Sequence, residues 1–183
     1  MKVLDSISRF DGKGCVLTLG TFDGVHLGHR MLLRRCRELA DEKQQPSVVL
    51  TFDRHPLSLV CPERAPAMLA TNEERAERMA EEGMDVVIFE PFTREFAAMS
   101  PEEYVLQINE ALHPSVIVVG RNHSFGKGGK GSWETLTELG KRLGFAVEAW
   151  EPLQIDGGVV SSTRIRSLLS ENKIDEANRL LGK

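Results

Sequence analysis

The stretch Gly-Thr-Phe-Asp-Gly-Val-His-Leu-Gly-His at residues 20–29 constrains the fold more than any other part of the chain. The apolar run at residues 15–19 before it predicts a buried strand, and the apolar spacing of residues 31–40 after it predicts a helix. Three glycines, spaced by four, let the backbone turn tightly and approach a ligand closely. A helix that begins near Gly28 offers free N–H groups and a positive dipole end, so phosphate is the expected ligand.

A pair of histidines marks this helix start. His26 and His29 lie three residues apart, so both rings are expected to face the anion and to donate hydrogen bonds to phosphate oxygens. The alternative is that one histidine caps the turn while the other lies in solvent, and for a single histidine this would be the better interpretation. Two histidines that flank Leu-Gly after a strand favour phosphate binding instead.

The same residues resemble a known pattern. His-Leu-Gly-His after a strand resembles the signature of the adenylyltransferase and cytidylyltransferase superfamily. The whole ten-residue stretch is narrower and resembles the FAD synthetase (FMN adenylyltransferase) module of bacterial bifunctional riboflavin kinase/FAD synthetases. The resemblance implies a Rossmann-like nucleotidylyltransferase fold, with ATP bound by Gly20, Thr21, Phe22, Asp23, Gly24, His26 and His29.

Composition bounds the class of protein. At 183 residues the chain is long enough for one domain with its own core, and a single α/β domain is expected. The net charge of −4, with no strongly basic half, argues against a nucleic-acid binder. Cys15, Cys36 and Cys61 are odd in number and lack Cys-x-x-Cys spacing, which favours a reduced, cytoplasmic protein. No run approaches the roughly 18 apolar residues of a membrane span, so no membrane partner is expected.

A second strand, predicted at residues 46–52, ends in a polar loop. Open α/β sheets build ligand sites just past the carboxyl ends of their strands. On the residues alone, His55 is equally an ordinary loop residue before a proline. The FAD synthetase family usually has Thr-Phe-Asp-Pro-His-Pro here, with Arg54 replacing the first proline in this chain, and the resemblance implies flavin binding by Phe52, Asp53, His55 and Pro56. Residues 57–70 are predicted to be a long irregular segment, in a position suited to covering a flavin ring.

The glycine-rich segment at residues 120–131 follows another predicted buried strand. It carries three positive charges, no acid and five glycines, so we expect a mobile loop that wraps phosphates with its N–H groups. Five residues separate Gly120 from Gly126, which excludes a Walker A loop. In the family the corresponding loop is similar at Gly120, Asn122, Phe125, Gly126 and Lys127, whereas His123 stands where an aromatic residue is usual. The resemblance assigns Asn122 to the phosphate and metal region and Phe125 to the flavin.

A second helix start lies at residues 161–166. Its serines and threonine are strong N-caps, and Arg166 follows one turn later, an arrangement suited to a triphosphate. In isolation an ordinary cap followed by surface arginines would be the better interpretation. However, Ser-Ser-Thr-x-Ile-Arg resembles the second superfamily signature, which implies that Ser162, Thr163 and Arg166 bind the β- and γ-phosphates of ATP.

The remaining pattern predicts the fold class. Helices are expected at residues 71–82, 93–99, 100–112 and 132–143, strands at 85–90, 115–119 and 145–150, and a hairpin turn at 156–158. This alternation predicts a doubly wound parallel sheet of about five main strands, whose order reverses so that both phosphate motifs meet. Phe92, Phe96 and Tyr104 are predicted to be core residues rather than ligand contacts.

These observations lead to one hypothesis and two alternatives. The hypothesis is an FMN adenylyltransferase that transfers AMP from ATP to FMN, with His26, His29, Asn122 and Arg166 as catalytic residues and Mg²⁺ held mainly by phosphates and water. The alternatives are a nucleotidylyltransferase with another phosphorylated acceptor and a non-catalytic flavin or nucleotide-binding module. Residues 1–183 are expected to form the adenylyltransferase domain without a riboflavin kinase domain, because only one set of phosphate loops is present. The oligomeric state stays open.

Overall fold

A computed structural model describes residues 1–183 and contains a six-stranded sheet in which every neighbouring pair is parallel. The strands are β1 (Lys2–Leu4), β2 (Cys15–Leu19), β3 (Ser47–Phe52), β4 (Val86–Glu90), β5 (Pro114–Gly120) and β6 (Ala146–Trp150). Their order in the sheet is β1-β4-β3-β2-β5-β6.

Eight α-helices and a small hairpin complete the chain. The helices are α1 (Leu27–Lys43), α2 (Leu57–Val60), α3 (Asn72–Glu81), α4 (Arg94–Ala98), α5 (Pro101–Leu112), α6 (Trp133–Leu143), α7 (Ser162–Ser170) and α8 (Ile174–Leu181). The hairpin joins β7 (Gln154–Ile155) to β8 (Gly158–Val159) in antiparallel register. The predicted helices and the predicted hairpin are therefore all present, and most helix boundaries differ by one residue, although α1 extends three residues beyond the predicted Ala40.

The central strands are buried on both faces, which is why they consist almost entirely of apolar residues. On one face, Leu17 and Leu19 of β2 belong to a core completed by α5 and α6. On the other face, Val16 belongs to a core completed by α1 and α3. Helices cover both faces of a parallel sheet, so the predicted doubly wound class is confirmed.

The chain reverses direction across the sheet at β2. After β2 it adds β3 and β4 on one side, and it then returns to place β5 and β6 on the other. The crevice at the carboxyl ends of β2 and β5 is therefore the switch point at which doubly wound sheets bind ligands. The expected reversal is present, and it brings the segments at residues 20–29 and 161–166 to the same edge.

Two details of the fold correct the sequence-based expectation. The sheet has six strands rather than about five, because residues 2–4 form an edge strand that is too short to show a pattern. It is held by the Lys2 N–H, which donates to the Asp85 carbonyl at 2.7 Å, and by the Glu90 carboxylate, which accepts from the Ile7 N–H at 2.6 Å. The segment at residues 57–70 is not irregular throughout, since it contains α2 and a 3-10 turn at Pro62–Arg64.

The aromatic residues between β4 and α5 lie in the core, as predicted. Phe96 and Tyr104 are buried, and Phe92 is partly buried against them. A separate small core joins α7 to α8 and contacts Leu27, Leu69 and Leu153, so the C-terminal helices close over the switch-point edge. No helix of the chain has the length and apolar character needed to cross a bilayer.

Gly140 gives a stability prediction for this fold. It lies inside α6, where a Cβ atom would be 2.6 Å from the Phe145 carbonyl oxygen. Alanine has the better helix propensity, but overpacking against backbone outweighs it, so Gly140→Ala should lower the free energy of unfolding by about 1–3 kcal/mol in urea denaturation. Lys141→Ala, at the exposed neighbouring position, should change it by less than about 0.5 kcal/mol. A Gly140→Ala protein as stable as the wild type would contradict this packing.

Candidate active site

A cavity of about 330 Å³ opens at the carboxyl ends of β2 and β5. Five segments line it: the loop after β2, the end of β3, the loop after β5, the end of β6 and the start of α7. The residues predicted for ligand binding that line this cavity are Gly20, Thr21, Phe22, His26, His29, Phe52, Pro56, Asn122 and Ser162. Segments far apart in sequence thus meet at one edge of the sheet.

The loop after β2 has an unusual backbone. Phe22 and Val25 both have φ of 45°, and Gly24 between them has φ of 77°. The left-handed region is unfavourable for a β-branched residue such as valine, at a cost of order 1–3 kcal/mol. Burial of the Phe22 and Val25 side chains and a 2.6 Å hydrogen bond from Arg78 to the Gly24 carbonyl oppose that strain. The loop shape is therefore imposed by its surroundings.

The two histidines face the same cavity, as predicted. Their rings stack with centroids 3.6 Å apart and planes 13° apart. His26 is also the N-cap of α1, because its Nδ1 accepts the His29 N–H at 3.3 Å. The capping alternative thus holds for His26, but His29 is partly buried rather than solvated, and its Nδ1 has no hydrogen-bond partner. Each ring therefore has at least one nitrogen without a hydrogen bond to the protein.

Both imidazoles are neutral at physiological pH. Burial lowers the pKa of His26 to about 4. Burial lowers the pKa of His29 well below its ordinary value, and the nearby His26 and Arg75 lower it further. A neutral imidazole whose Nδ1 accepts a hydrogen bond carries its proton on Nε2, so His26 offers one N–H donor to the cavity.

Asp23 does not line the cavity, although the sequence assigned it to ATP. Its side chain is 1% exposed, and its Oδ1 accepts the Leu69 N–H at 2.8 Å. Its other oxygen pairs with Arg166, and its carbonyl accepts the Ser162 hydroxyl at 3.0 Å. Gly24 is likewise buried outside the cavity. Asp23 therefore holds the loop after β2 against α7 and the segment before α3.

The start of α7 is placed differently from the expectation in two respects. Ser161, rather than Ser162 or Thr163, is the N-cap, and its hydroxyl accepts the Arg164 N–H at 3.2 Å. Thr163 is exposed and lies outside the cavity lining. The Arg166 guanidinium is engaged by Asp23 and by the Ala67 carbonyl, which accepts from Nε at 2.8 Å.

The residues predicted for the flavin fall into two groups. Phe52 and Pro56 line the cavity. Asp53 instead accepts the Phe92 N–H at 3.1 Å and faces a shallow groove beside β1. His55 accepts the Leu57 N–H at Nδ1, 3.2 Å away, and burial followed by the charge of Arg166 lowers its pKa. His55 is therefore tied to its own loop.

Phe125 is buried in the core instead of lining the cavity. Its ring centroid lies 5.3 Å from that of Tyr104, and its backbone pairs with Gly131. Phe125 thus forms part of a chain of aromatic contacts through Tyr104 and Phe96 to Phe52. The chain links the core to the cavity wall.

The glycine-rich loop divides into two halves. Asn122, His123 and Ser124 line the cavity, and a Cβ at Gly120 would lie 2.9 Å from Asn122 Oδ1, so the position of the Asn122 side chain depends on glycine at the end of β5. The second half turns away, because the Lys127 N–H donates to the Met99 carbonyl at 2.7 Å. Residues 120–124 thus supply the part of this loop that faces the cavity, whereas residues 127–131 do not line it.

Sequence reasoning missed part of the lining. Trp150, Glu151, Pro152 and Leu153 form one wall, just past the end of β6. The sequence predicted β6, and ligand sites commonly lie at strand ends, so these residues could have been candidates. The sequence did not show that β6 lies beside β5 in the sheet. Arg75 was also missed. The many charged residues of its helix predict a solvent-exposed surface, but the Arg75 side chain is only 1% exposed.

The cavity offers oxygen donors rather than a carboxylate cage. Thr21, Asn122, Ser161 and Ser162 contribute neutral oxygens, and no three His, Cys, Asp or Glu side chains come together as metal ligands. Mg²⁺ prefers oxygen and keeps several waters when it is bound beside phosphates. The residues present therefore fit a magnesium ion that arrives with a phosphate ligand, with Thr21 and Asn122 as its protein partners.

The buried Asp23–Arg166 pair gives a second stability prediction. Asp23→Asn leaves the Arg166 guanidinium, only 21% exposed, without its carboxylate, so the free energy of unfolding should fall by about 2–3 kcal/mol. Asp156 and Arg179 form a pair that is 59% and 65% exposed, and Asp156→Asn should cost less than about 1 kcal/mol. Urea denaturation of both variants makes the comparison. Equal effects of the two substitutions would contradict the structural role of Asp23.

The lowered histidine pKa values predict a loss of stability in mild acid. Burial lowers the pKa of His26 and of His123 to about 4, whereas unfolded histidine titrates near 6.5. The unfolded chain therefore binds more protons between these values, and stability present above pH 6.5 is lost as pH falls toward 4. Each such ring should contribute roughly 2 kcal/mol of loss between pH 7 and 5. In urea denaturation at pH 7 and pH 5, His123→Phe should lose less stability than the wild type, because it lacks the contribution of His123. An unchanged pH dependence would contradict the lowered pKa of this ring.

Comparison with known proteins adds independent information. Residues 9–164 match the FAD synthetase family. The chain is 39% identical over 176 residues to a bifunctional riboflavin kinase/FMN adenylyltransferase of Pseudomonas fluorescens, covering 96% of this chain and 56% of that protein. It is 34% identical over 181 residues to the protein of the same name from Escherichia coli strain K12, covering 98% and 58%.

A solved structure has the same fold. The crystal structure of a macrolide-efflux protein from Streptococcus pneumoniae superposes with a TM-score of 0.86 at 26% identity, covering 99% of this chain and 61% of that one. The chain thus spans 56% and 58% of the length of the two bifunctional relatives. Since the family match covers most of the chain, this protein belongs to the FAD synthetase family.

Proposed function

We propose that this chain transfers AMP from ATP to FMN, giving FAD and pyrophosphate. The observation that carries the proposal is the meeting of two helix N-termini at one cavity, with the stacked His26 and His29 between them. Free N–H groups and positive dipole ends favour a polyanion, and neutral rings add directed donors. Membership of the FAD synthetase family, and relatives named FMN adenylyltransferases, support the choice of substrates.

The triphosphate is assigned to the end of the cavity between α1 and α7. The ring nitrogens of His26 and His29 would donate to the α-phosphate and the leaving pyrophosphate, and Ser162 would contact the β- and γ-phosphates. Thr163 and Arg166 are assigned to the same phosphates. In the structure Arg166 pairs with Asp23, so its guanidinium would bind the Asp23 carboxylate and the phosphate at the same time.

The two sides of the cavity differ in character, which orients the substrates. On the β6 side, Trp150 and Leu153 offer an aromatic and an aliphatic surface for the adenine. On the β3 side, Phe52 and Pro56 are assigned to the flavin, with His55 on the same loop. Asp53 and Phe125 would act behind this wall, Asp53 through the Phe92 backbone and Phe125 through the aromatic chain of the core.

The chemistry needs no protein nucleophile. A phosphate oxygen of FMN, ionised near neutral pH, attacks the α-phosphorus of ATP, and the bond from that phosphorus to the bridging β-oxygen breaks as pyrophosphate leaves. Cys15 and Cys36 are in the core, and burial raises the pKa of both thiols to about 12, so they do not compete. Catalysis would come from alignment and charge stabilisation by the two histidines.

A bound magnesium ion would neutralise phosphate charge. Thr21 and Asn122 are the residues proposed to hold it, together with phosphate oxygens and water. We place the reaction in the cytoplasm, because all three cysteines are free thiols. With a net charge of −4, small molecules rather than nucleic acids are the proposed partners.

The histidine assignment predicts a rate effect. His29→Ala removes one donor to the reacting phosphates, so kcat for FAD formation should fall by about 10²–10³-fold. His113→Asn is the control, because His113 is exposed at the C-cap of α5 in a left-handed conformation that asparagine tolerates. Flavins separated by chromatography after incubation with ATP, FMN and Mg²⁺ give both rates. A His29→Ala protein with nearly full activity would remove that ring from the mechanism.

The alternatives differ in acceptor. Separate reactions should pair ATP or CTP with FMN, pantetheine phosphate, nicotinamide mononucleotide or glycerol phosphate, with riboflavin as the unphosphorylated control. The proposal expects pyrophosphate from ATP and FMN alone. Release only with another acceptor would identify a different nucleotidylyltransferase. Flavin binding without pyrophosphate under any Mg²⁺ concentration would identify a binding module.

A further inference from the structure

Arg75 on α3 is a charged side chain placed in the core. It is 1% exposed, and its guanidinium carbon lies 5.0 Å from the centroid of the Phe89 ring. Burial lowers its pKa to about 10, so it keeps its charge at neutral pH. It forms no hydrogen bond to a carboxylate, and its hydrogen-bond acceptors are two backbone carbonyls, one hydroxyl and one amide.

Three of those acceptors lie just past β2 or at the end of β3, and the fourth, Asn72, lies on α3 itself. One arm, Nη2, donates to the Thr21 carbonyl at 2.6 Å and to the Thr51 hydroxyl. The other arm, Nη1, donates to the Phe52 carbonyl at 3.0 Å and to Asn72 Oδ1 at 2.8 Å. Thr51 itself donates to the Thr21 carbonyl at 3.0 Å. A single guanidinium therefore joins the chain just past β2 to the chain at the end of β3.

The two joined segments carry the two sides of the proposed reaction. Residues 20–29, the phosphate loop, include His26 and His29, and residues 52–56, the acceptor loop, include the cavity-lining Phe52 and Pro56. Both carbonyls lie where the strands end, so they need partners from elsewhere in the fold. A planar guanidinium with donors on two arms satisfies both at a fixed separation.

A neighbouring contact strengthens this interpretation. Asn72, one turn before Arg75 on α3, accepts from its guanidinium and donates through Nδ2 to the Asp53 carbonyl at 3.0 Å. Arg78, one turn after it, donates to the Gly24 carbonyl at 2.6 Å. Side chains on the face of α3 that meets the sheet thus donate hydrogen bonds to the backbone of both loops.

We propose that Arg75 is a positioning residue that fixes the phosphate loop and the acceptor loop relative to each other. The proposal rests on the proposed adenylyl transfer, in which a phosphate held on one side must meet the α-phosphorus held on the other. Reacting atoms must approach to about 3–3.5 Å, and a misplacement of about 1 Å can cost 10²-fold in rate. Arg75 does not line the cavity, so its effect should appear in alignment rather than in the binding of either substrate alone.

Four variants test the proposal. Arg75→Met keeps an unbranched side chain and removes the donors, whereas Arg75→Lys keeps the charge and an ammonium whose three donors can serve both carbonyls. Thr51→Val removes the hydroxyl between the loops while preserving the shape of the side chain. Thr18→Val is the matched control, because Thr18 is also fully buried and donates to the Val118 carbonyl at 2.8 Å in the middle of the sheet.

The measurements are kcat and KM for FAD formation, the Kd of FMN without ATP, and thermal unfolding to normalise for folded protein. We expect Arg75→Met to lower kcat about 10²-fold and Thr51→Val about tenfold, with the FMN Kd within about threefold of wild type. Arg75→Lys, whose single ammonium lacks the planar two-armed geometry, should give a rate between those of Arg75→Met and wild type, and Thr18→Val should match wild type.

Each other result has a definite meaning. If Arg75→Met does not fold, Thr51→Val decides, and a Thr51→Val protein that matches Thr18→Val overturns the proposal. Wild-type kcat in Arg75→Met, or a loss of FMN binding equal to the loss of kcat, also overturns it. If the wild-type chain makes no FAD from ATP and FMN, the proposed function itself is wrong. If the wild type is active and the variants are unaffected, only the role proposed for Arg75 is wrong.

Discussion

The carboxylate of Asp23 is the interaction on which the site depends most. It is buried, and it ties the loop after β2 to Arg166 on α7 and to the Leu69 backbone before α3. Without this carboxylate, the second helix start would have no charged link to the first. The hydrophobic core of α7 and α8 adds stabilising contact area but does not fix the orientation of α7. The hydrophobic effect is roughly proportional to the buried apolar area and has no preferred direction. The pair therefore sets where two anion-binding helix ends meet.

Around that pair, neutral hydrogen-bonding groups and helix N-termini face the cavity. The stacked His26 and His29 are held neutral by burial, and the left-handed Phe22 and Val25 keep the intervening loop in a shape that the sequence alone would not adopt. Neutral donors and helix N-termini attract phosphate without a repulsive cost between two imidazolium rings. The buried Arg75 guanidinium binds the Thr21 carbonyl of this loop and also joins it to β3.

Periodicity and cap residues were enough to predict the sheet class and the helices, because each depends on local pattern, whereas the switch point was inferred from the requirement that the two phosphate motifs meet. They could not predict the edge strand at residues 2–4, whose stability comes from pairing with β4. The partners of buried side chains could not be predicted either. Asp23 was interpreted as a ligand contact because its pairing with Arg166, far away in sequence, is visible only in the structure. Phe125 fits a flavin by resemblance, yet its burial against Tyr104 is set by tertiary packing. Arg75 looked like part of a solvated charge run for the same reason.

The central claim is that ATP binds with its phosphates between the starts of α1 and α7. A crystal structure of the chain with Mg²⁺ and an ATP analogue carrying a methylene bridge between the α- and β-phosphates tests it most directly, because the analogue cannot be cleaved at that position. The account predicts phosphate oxygens within about 2.7–3.2 Å of ring nitrogens of His26 and His29 and of donors on Ser162. A triphosphate bound elsewhere, for example beside Lys127 and Lys130 with the histidine pair uncontacted, would contradict it.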